Sequence, residues 1–96
     1  MREVTAMREV TYYYTDDCGL DILMKKVRDP VKGIFTGFIW KIDDKVWNEK
    51  WELTCGYFYG FEPAGVISAE AAKAYMVRYG AAGEEAEEFI RKDTED

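Results

Sequence analysis

The sequence predicts an α+β domain: a small antiparallel, aromatic-rich sheet of three to four strands packed against a C-terminal helical hairpin. Three observations lead there. Runs of β-branched and aromatic residues fill the first two thirds of the chain, punctuated by Asp, Gly and Pro. The last third is rich in Ala and Glu, which favour helices. Strands therefore come first and helices after, which argues against alternating βαβ units.

The chain opens on a direct repeat, Met1-Arg2-Glu3-Val4-Thr5 and Met7-Arg8-Glu9-Val10-Thr11. It is too short for a repeat architecture. Residues 1–6 are read as a duplicated, frayed N-terminus, residues 7–92 as one α+β domain, and residues 93–96 as an acidic tail.

Val10 to Thr15 is β-branched or tyrosine throughout and predicts the first strand, with Val10, Tyr12 and Tyr14 on one face. Residues 20–28 fit two patterns. Leu20, Leu23, Met24 and Val27 form a helical stripe, with Asp17 placed to cap it and Lys25, Lys26 and Arg28 near its end. Leu20, Ile22 and Met24 also alternate, and a turn at 17–19 would make a hairpin with the first strand. The helix is preferred, stopped at Asp29-Pro30.

Gly33 to Ile42 predicts a strand with Ile34, Thr36, Phe38 and Trp40 on one face. Lys45 to Lys50 is a hairpin arm or one helical turn. Trp51 to Phe61 predicts another strand, with Trp51, Leu53, Cys55, Tyr57, Tyr59 and Phe61 on one face, ended by Glu62-Pro63-Ala64-Gly65. Ser68 then caps a helix over Ala69–Tyr79, and Gly80 lies just past its end. A second helix covers Glu84–Lys92. Its buried stripe is Ala82, Ala86, Phe89 and Ile90, with supporting pairs Glu87–Arg91 and Glu88–Lys92.

Two copies of one pattern stand out: Gly33-Ile34-Phe35-Thr36-Gly37-Phe38 and Gly56-Tyr57-Phe58-Tyr59-Gly60-Phe61, both G-x-F-x-G-F. The spacing is neither a dinucleotide fingerprint nor a phosphate loop. Read as strands, both copies leave bare spots, Gly37 and Gly60 among them, where another element packs closely or a sugar, base or peptide finds a shallow groove.

Composition excludes much. Histidine is absent, which removes the commonest general base and the commonest transition-metal ligand. The two cysteines, Cys18 and Cys55, make neither a disulfide framework nor a zinc site. No catalytic residue, metal or cofactor is predicted. Asp16, Asp17 and Asp21 miss the order of a calcium loop and read as turn and cap residues. No apolar run is long enough to span a membrane, and no signal peptide is visible, so a cytoplasmic protein is expected.

The net charge is −6, unevenly spread: residues 1–61 hold ten acids and nine bases, residues 62–96 nine acids and four bases. An acidic protein does not hold a phosphate backbone, so no direct nucleic-acid binding is expected. The second helix, bearing four glutamates, would be repelled from a major groove.

The function expected from these features is non-enzymatic. The chain reads as a small acidic protein-binding module meeting a partner protein with a basic surface. The partner-binding residues are Glu84, Glu85, Glu87 and Glu88. A phage or mobile-element type of inhibitor, acting on a nucleic-acid-handling enzyme, is the narrower form. The alternative is a ligand-binding module for a sugar or nucleotide, using a face of Phe38, Trp40, Trp51, Tyr57, Tyr59 and Phe61. Oligomeric state is not legible.

Overall fold

The computed structural model describes residues 9–16, 19 and 21–94. The expectations for residues 1–6, for Asp17, Cys18 and Leu20, and for Glu95 and Asp96 lie outside the described residues. In chain order the elements are β1 (Glu9–Thr15), β2 (Ile22–Arg28), β3 (Phe35–Lys41), β4 (Val46–Glu49), α1 (Trp51–Phe58), β5 (Gly65–Ile67), α2 (Ala69–Arg78) and α3 (Gly83–Thr94). The strands form one antiparallel sheet in the order β4-β3-β2-β1-β5. The α+β class, the antiparallel sheet and the C-terminal helical pair are as predicted.

β2 is a strand, not the helix preferred from the sequence. It sits at the centre of the sheet, between β1 and β3. Leu23, Met24, Lys25 and Val27 are all buried, because helices cover both faces here. A central strand covered on both sides loses the polar–apolar alternation that marks a strand, and the residual pattern mimics a helical stripe. Gly19, at φ 78°, donates to the Asp16 carbonyl at 3.0 Å in the hairpin between β1 and β2.

The larger correction is α1. Residues 51–58 are helical, not a strand. Trp51, Thr54, Cys55 and Phe58 lie at i, i+3, i+4 and i+7, and Thr54 and Phe58 are buried. The helix ends in a Schellman motif: Phe61 N–H donates to the Gly56 carbonyl (2.9 Å) and Gly60 N–H to the Tyr57 carbonyl (3.4 Å), with Gly60 at φ 85°. The second G-x-F-x-G-F copy is therefore a helix end, and the first is a turn and strand. The same sequence pattern serves two backbones.

The chain then crosses to the opposite edge of the sheet, where the three-residue β5 pairs with β1. This strand, too short to read from sequence, brings the sheet to five strands rather than three to four. Thr15 Oγ1 ties the approach down by donating to the Pro63 carbonyl at 2.6 Å.

The sheet separates two cores. On one face Tyr12, Leu23 and Trp40 pack against Ala72, Tyr75, Met76, Ala81 and Ala86, with Phe89 and Ile90 alongside. On the other, Tyr13 and Met24 pack against Phe58, flanked by Ile39, Trp51 and Tyr57. Gly37 is the close-approach point on the α1 face: a Cβ there would fall 2.0 Å from Thr54 Oγ1. Gly60 has open space around it, so its role is conformational.

α2 matches its prediction. Ser68 accepts from Ala71 N–H at 3.1 Å as the N-cap. At its other end Ala81 N–H donates to the Met76 carbonyl, with Gly80 left-handed at φ 110°. α3 starts one residue early and runs to Thr94. Ala82 is exposed and Ala81 takes the buried place assigned to it, because the chain enters α3 from the Gly80 turn. Asp93 belongs to α3 and is buried, so the tail expected at 93–96 does not start there.

Candidate partner-binding surface on the helical pair

α3 presents the four glutamates of its N-terminal half away from the core, while Ala86, Phe89 and Ile90 pack on the sheet side. Each carboxylate has a different local role. Glu85 accepts from the Ala82 N–H at 2.9 Å, half of a capping box without the usual Ser or Thr. Glu87 reaches across to α2 and pairs with Lys73 at 2.6 Å, not with Arg91. That bond holds the Glu87 carboxyl below its ordinary value. Glu88 pairs with Arg91, and Lys92 adds attraction from further off. Glu84 is exposed, with no ion pair among the described residues.

Lys73 is shared. Its ammonium lies 2.6 Å from Glu87 and 3.1 Å from Glu70, and both raise its pKa, Glu87 first. The helices are thus laced by a Glu70–Lys73–Glu87 ladder over a groove of about 540 Å³. Sequence reasoning placed the glutamates on the outer face of the helix but missed Lys73. An interhelical partner leaves no trace in an i, i+4 spacing.

Two further polar clusters were not legible beforehand. Beneath α3, Lys25 Nζ meets Asp93 Oδ1 at 2.5 Å, and Tyr12 OH donates to Asp93 Oδ2 at 2.6 Å. Lys25 is 7% exposed and Asp93 5%. The ammonium also lies 4.9 Å from the Phe38 ring centroid and 4.5 Å from that of Trp47. Burial, then the bond to Asp93, drives the Tyr12 phenol far above its ordinary range.

At the turn end of β1 and β2, Asp21 accepts from Tyr14 OH (2.5 Å), from Tyr79 OH, and from Arg78 (3.3 Å). Tyr75 OH donates to the Asp21 backbone carbonyl at 2.7 Å. The Tyr14 and Tyr79 bonds hold the Asp21 carboxyl below its usual range, and burial pushes Tyr75 up to about 12. Near neutral pH Asp21 stays ionised and Tyr75 stays protonated. The cluster staples α2 to the sheet through Tyr75, Arg78 and Tyr79.

The aromatic face expected as an alternative does not assemble. Phe38 and Trp40 lie in β3, and Trp40 is buried between Trp47 and Phe89 under the helical pair. Trp51 and Tyr57 belong to α1 on the other side of the sheet, and Tyr59 stands edge-on to Trp51 at 6.1 Å. Phe61 is 84% exposed beyond the helix. The six rings are split because residues 51–58 coil instead of extending. Among the described residues no group of three or more metal-ligating side chains occurs, and no helix is long and apolar enough to cross a membrane. Comparison with protein-family models, with curated proteins and with solved structures gives no match.

Proposed function

We propose that this chain is a non-enzymatic protein-binding module that meets a basic surface of a partner protein with the outer face of α3. One observation carries the reading. The glutamates stand on a helix whose opposite stripe is fixed in the core, so the charged face is rigidly presented, with Glu85 capping α3 and Glu87 tying it to Lys73 of α2. Rigid presentation limits the ordering that association must overcome. Glu84 and Glu85 lead the contact. Glu87 and Glu88 already have internal cations, which a partner must share or displace. That pairing favours recognition of a folded basic surface over imitation of evenly charged phosphates. Inhibition of a nucleic-acid-handling enzyme is the narrower form of the same reading. On this reading the module works in the cytoplasm, where Cys55 remains a free thiol.

The test replaces Glu84, Glu85, Glu87 and Glu88 by Gln together and compares both proteins as bait in native lysate. Folding should survive, as judged by circular dichroism. Partners held by the original protein should be released by rising salt and missed by the Gln variant. An identical, salt-insensitive set of captured proteins on both baits rejects the acidic contact.

A further inference from the structure

α2 is apolar on two sides. Ala72, Tyr75 and Met76 face the core, yet Ala71, Ala74 and Val77 are exposed, Val77 by 47%. A surface helix ordinarily keeps one apolar stripe and turns polar residues to water. Ala74 and Val77 instead floor the groove against α3, with Gly83 and Ala86 facing them. Past Lys73 this groove of about 540 Å³ continues into another of about 900 Å³, which reaches Glu84, Glu88 and Ile90.

The rim shows what chemistry it accepts. Lys73 spans the two walls, 3.1 Å from Glu70 on its own helix and 2.6 Å from Glu87 on the other. One ammonium is already held there, Arg78 and Arg91 also line the grooves, and Glu84 at the α3 end is the carboxylate that no ion pair occupies among the described residues. The floor is made of small side chains, which lets another helix approach closely. Two helices present side chains and no unpaired strand edge, so an extended peptide finds no backbone partners here.

We propose that the groove between α2 and α3 seats a basic amphipathic helix of the partner protein. Its apolar stripe lies on Ala74 and Val77, its lysines or arginines meet Glu84, and at Glu87 and Glu88 they displace Lys73 and Arg91. This rests on the acidic-surface reading above and names the partner element.

The probe is a synthetic leucine–lysine amphipathic helix of about 14 residues, roughly four turns. The control is an oligolysine of equal charge. Binding is measured by titration calorimetry to the original protein, to Ala74→Glu, and to Glu84→Gln with Glu88→Gln. Ala74→Glu plugs the floor while adding negative charge, so the two readings predict opposite signs. The groove predicts that the leucine–lysine helix binds about tenfold tighter than oligolysine, and that Ala74→Glu loses about tenfold. The Gln pair should lose a few-fold. Equal binding of both peptides, unchanged or tighter at Ala74→Glu, overturns the groove and leaves the acidic surface standing. No binding of either peptide overturns both. Val77→Ser trims one exposed side chain without adding charge. It should weaken only the leucine–lysine helix, and it replaces Ala74→Glu if that variant melts early.

Discussion

Lys25 and Lys26 are neighbours in β2, and the sheet sends them to opposite faces. Under the helical pair Lys25 is shut from water and meets a carboxylate at 2.5 Å. On the α1 face Lys26 is half-buried and lies over four rings instead. They are Tyr13 (5.7 Å), Phe35 (5.2 Å), Phe58 (5.9 Å) and Tyr59 (5.9 Å), and no ion pair holds Lys26 among the described residues. The difference lies in the layer above. Two helices close one face, while the other has the eight-residue α1, with Tyr59 54% exposed beside it. A cation shut from water needs a countercharge and hydrogen bonds, whereas one that water still reaches is content with ring faces. Closure, not residue type, decides which side chains become obligatory.

The strongest way to break this contrast is Asp93→Ala. It leaves the Lys25 ammonium and the Tyr12 hydroxyl without that carboxylate in a closed core. The expected loss is about 3–5 kcal/mol in urea unfolding. Lys25→Met combined with Asp93→Leu removes both charges and should recover most of it. An Asp93→Ala loss below about 1 kcal/mol would mean that water reaches Lys25 and that the two faces differ little.

Next comes Gly37→Val, which attacks the α1 face. The new Cβ would lie 2.0 Å from Thr54 Oγ1 and 2.8 Å from the Phe58 ring, so α1 must shift. About 1–3 kcal/mol should be lost. Gly37→Ala with Thr54→Ala should suffer less, though not nothing, because the Thr54 Cβ itself stands at 3.0 Å. Gly60, its counterpart in the second motif copy, behaves differently. Nothing crowds it, but φ is 85°, so Gly60→Ala should lose about 1–2 kcal/mol through the backbone. Asn, which tolerates this conformation, should restore part of that at Gly60 and none at Gly37. Equal rescue at both positions would mean that Gly37 is not a packing contact.

These positions also show what the sequence revealed. β1 and β3 were legible from unbroken runs of β-branched and aromatic residues, and α2 and α3 from their helix formers, the Ser68 cap and the single buried stripe of α3. β2 was not, since burial on both faces erased its alternation. α1 was not, because Trp51, Leu53, Cys55 and Tyr57 alternate by composition. As a helix the segment seats Thr54 on Gly37 and Phe58 on Tyr13, contacts between distant segments that no local spacing records. The outward glutamates were readable for the same reason as their helix. Their partner Lys73, the Lys25–Asp93 pair and the groove floor depend on how elements meet, and no local spacing records that.

A gentler probe is pH, acting on the Asp21 staple at the edge of the closed face. Asp21 is held below its ordinary value of 3.8, mainly by Tyr14 and then Tyr79. A depressed folded-state value stabilises above the unfolded value, and the gain fades as pH falls from about 4 through the folded one. The phenols run the other way. Tyr75 rises from 10.0 to about 12 by burial, and Tyr14 and Tyr79 rise through Asp21. Their contribution is complete below pH 10 and is lost as pH climbs from 10 towards 12. Urea midpoints should therefore drop at both extremes. Asp21→Asn should flatten the acid limb, and Tyr75→Phe should reduce the alkaline one. Limbs unchanged in these variants would move the titration to other groups.

The smallest effect is expected at Lys26→Met, the mirror of the Lys25 experiment. Methionine keeps an unbranched stem over Tyr13, Phe35, Phe58 and Tyr59 and gives up only the cation's attraction to the rings. That attraction is worth about 0.5–1 kcal/mol at an accessible site, and the sulfur's own contacts with the rings recover part of it. The variant should unfold within about 1 kcal/mol of the original protein, with an unchanged urea slope. Lys25→Met alone strands Asp93 under α3 and should lose several times more. A Lys26→Met loss as large as that would mean the α1 face is closed too and holds a countercharge. The layers above the two lysines would then not explain their different partners.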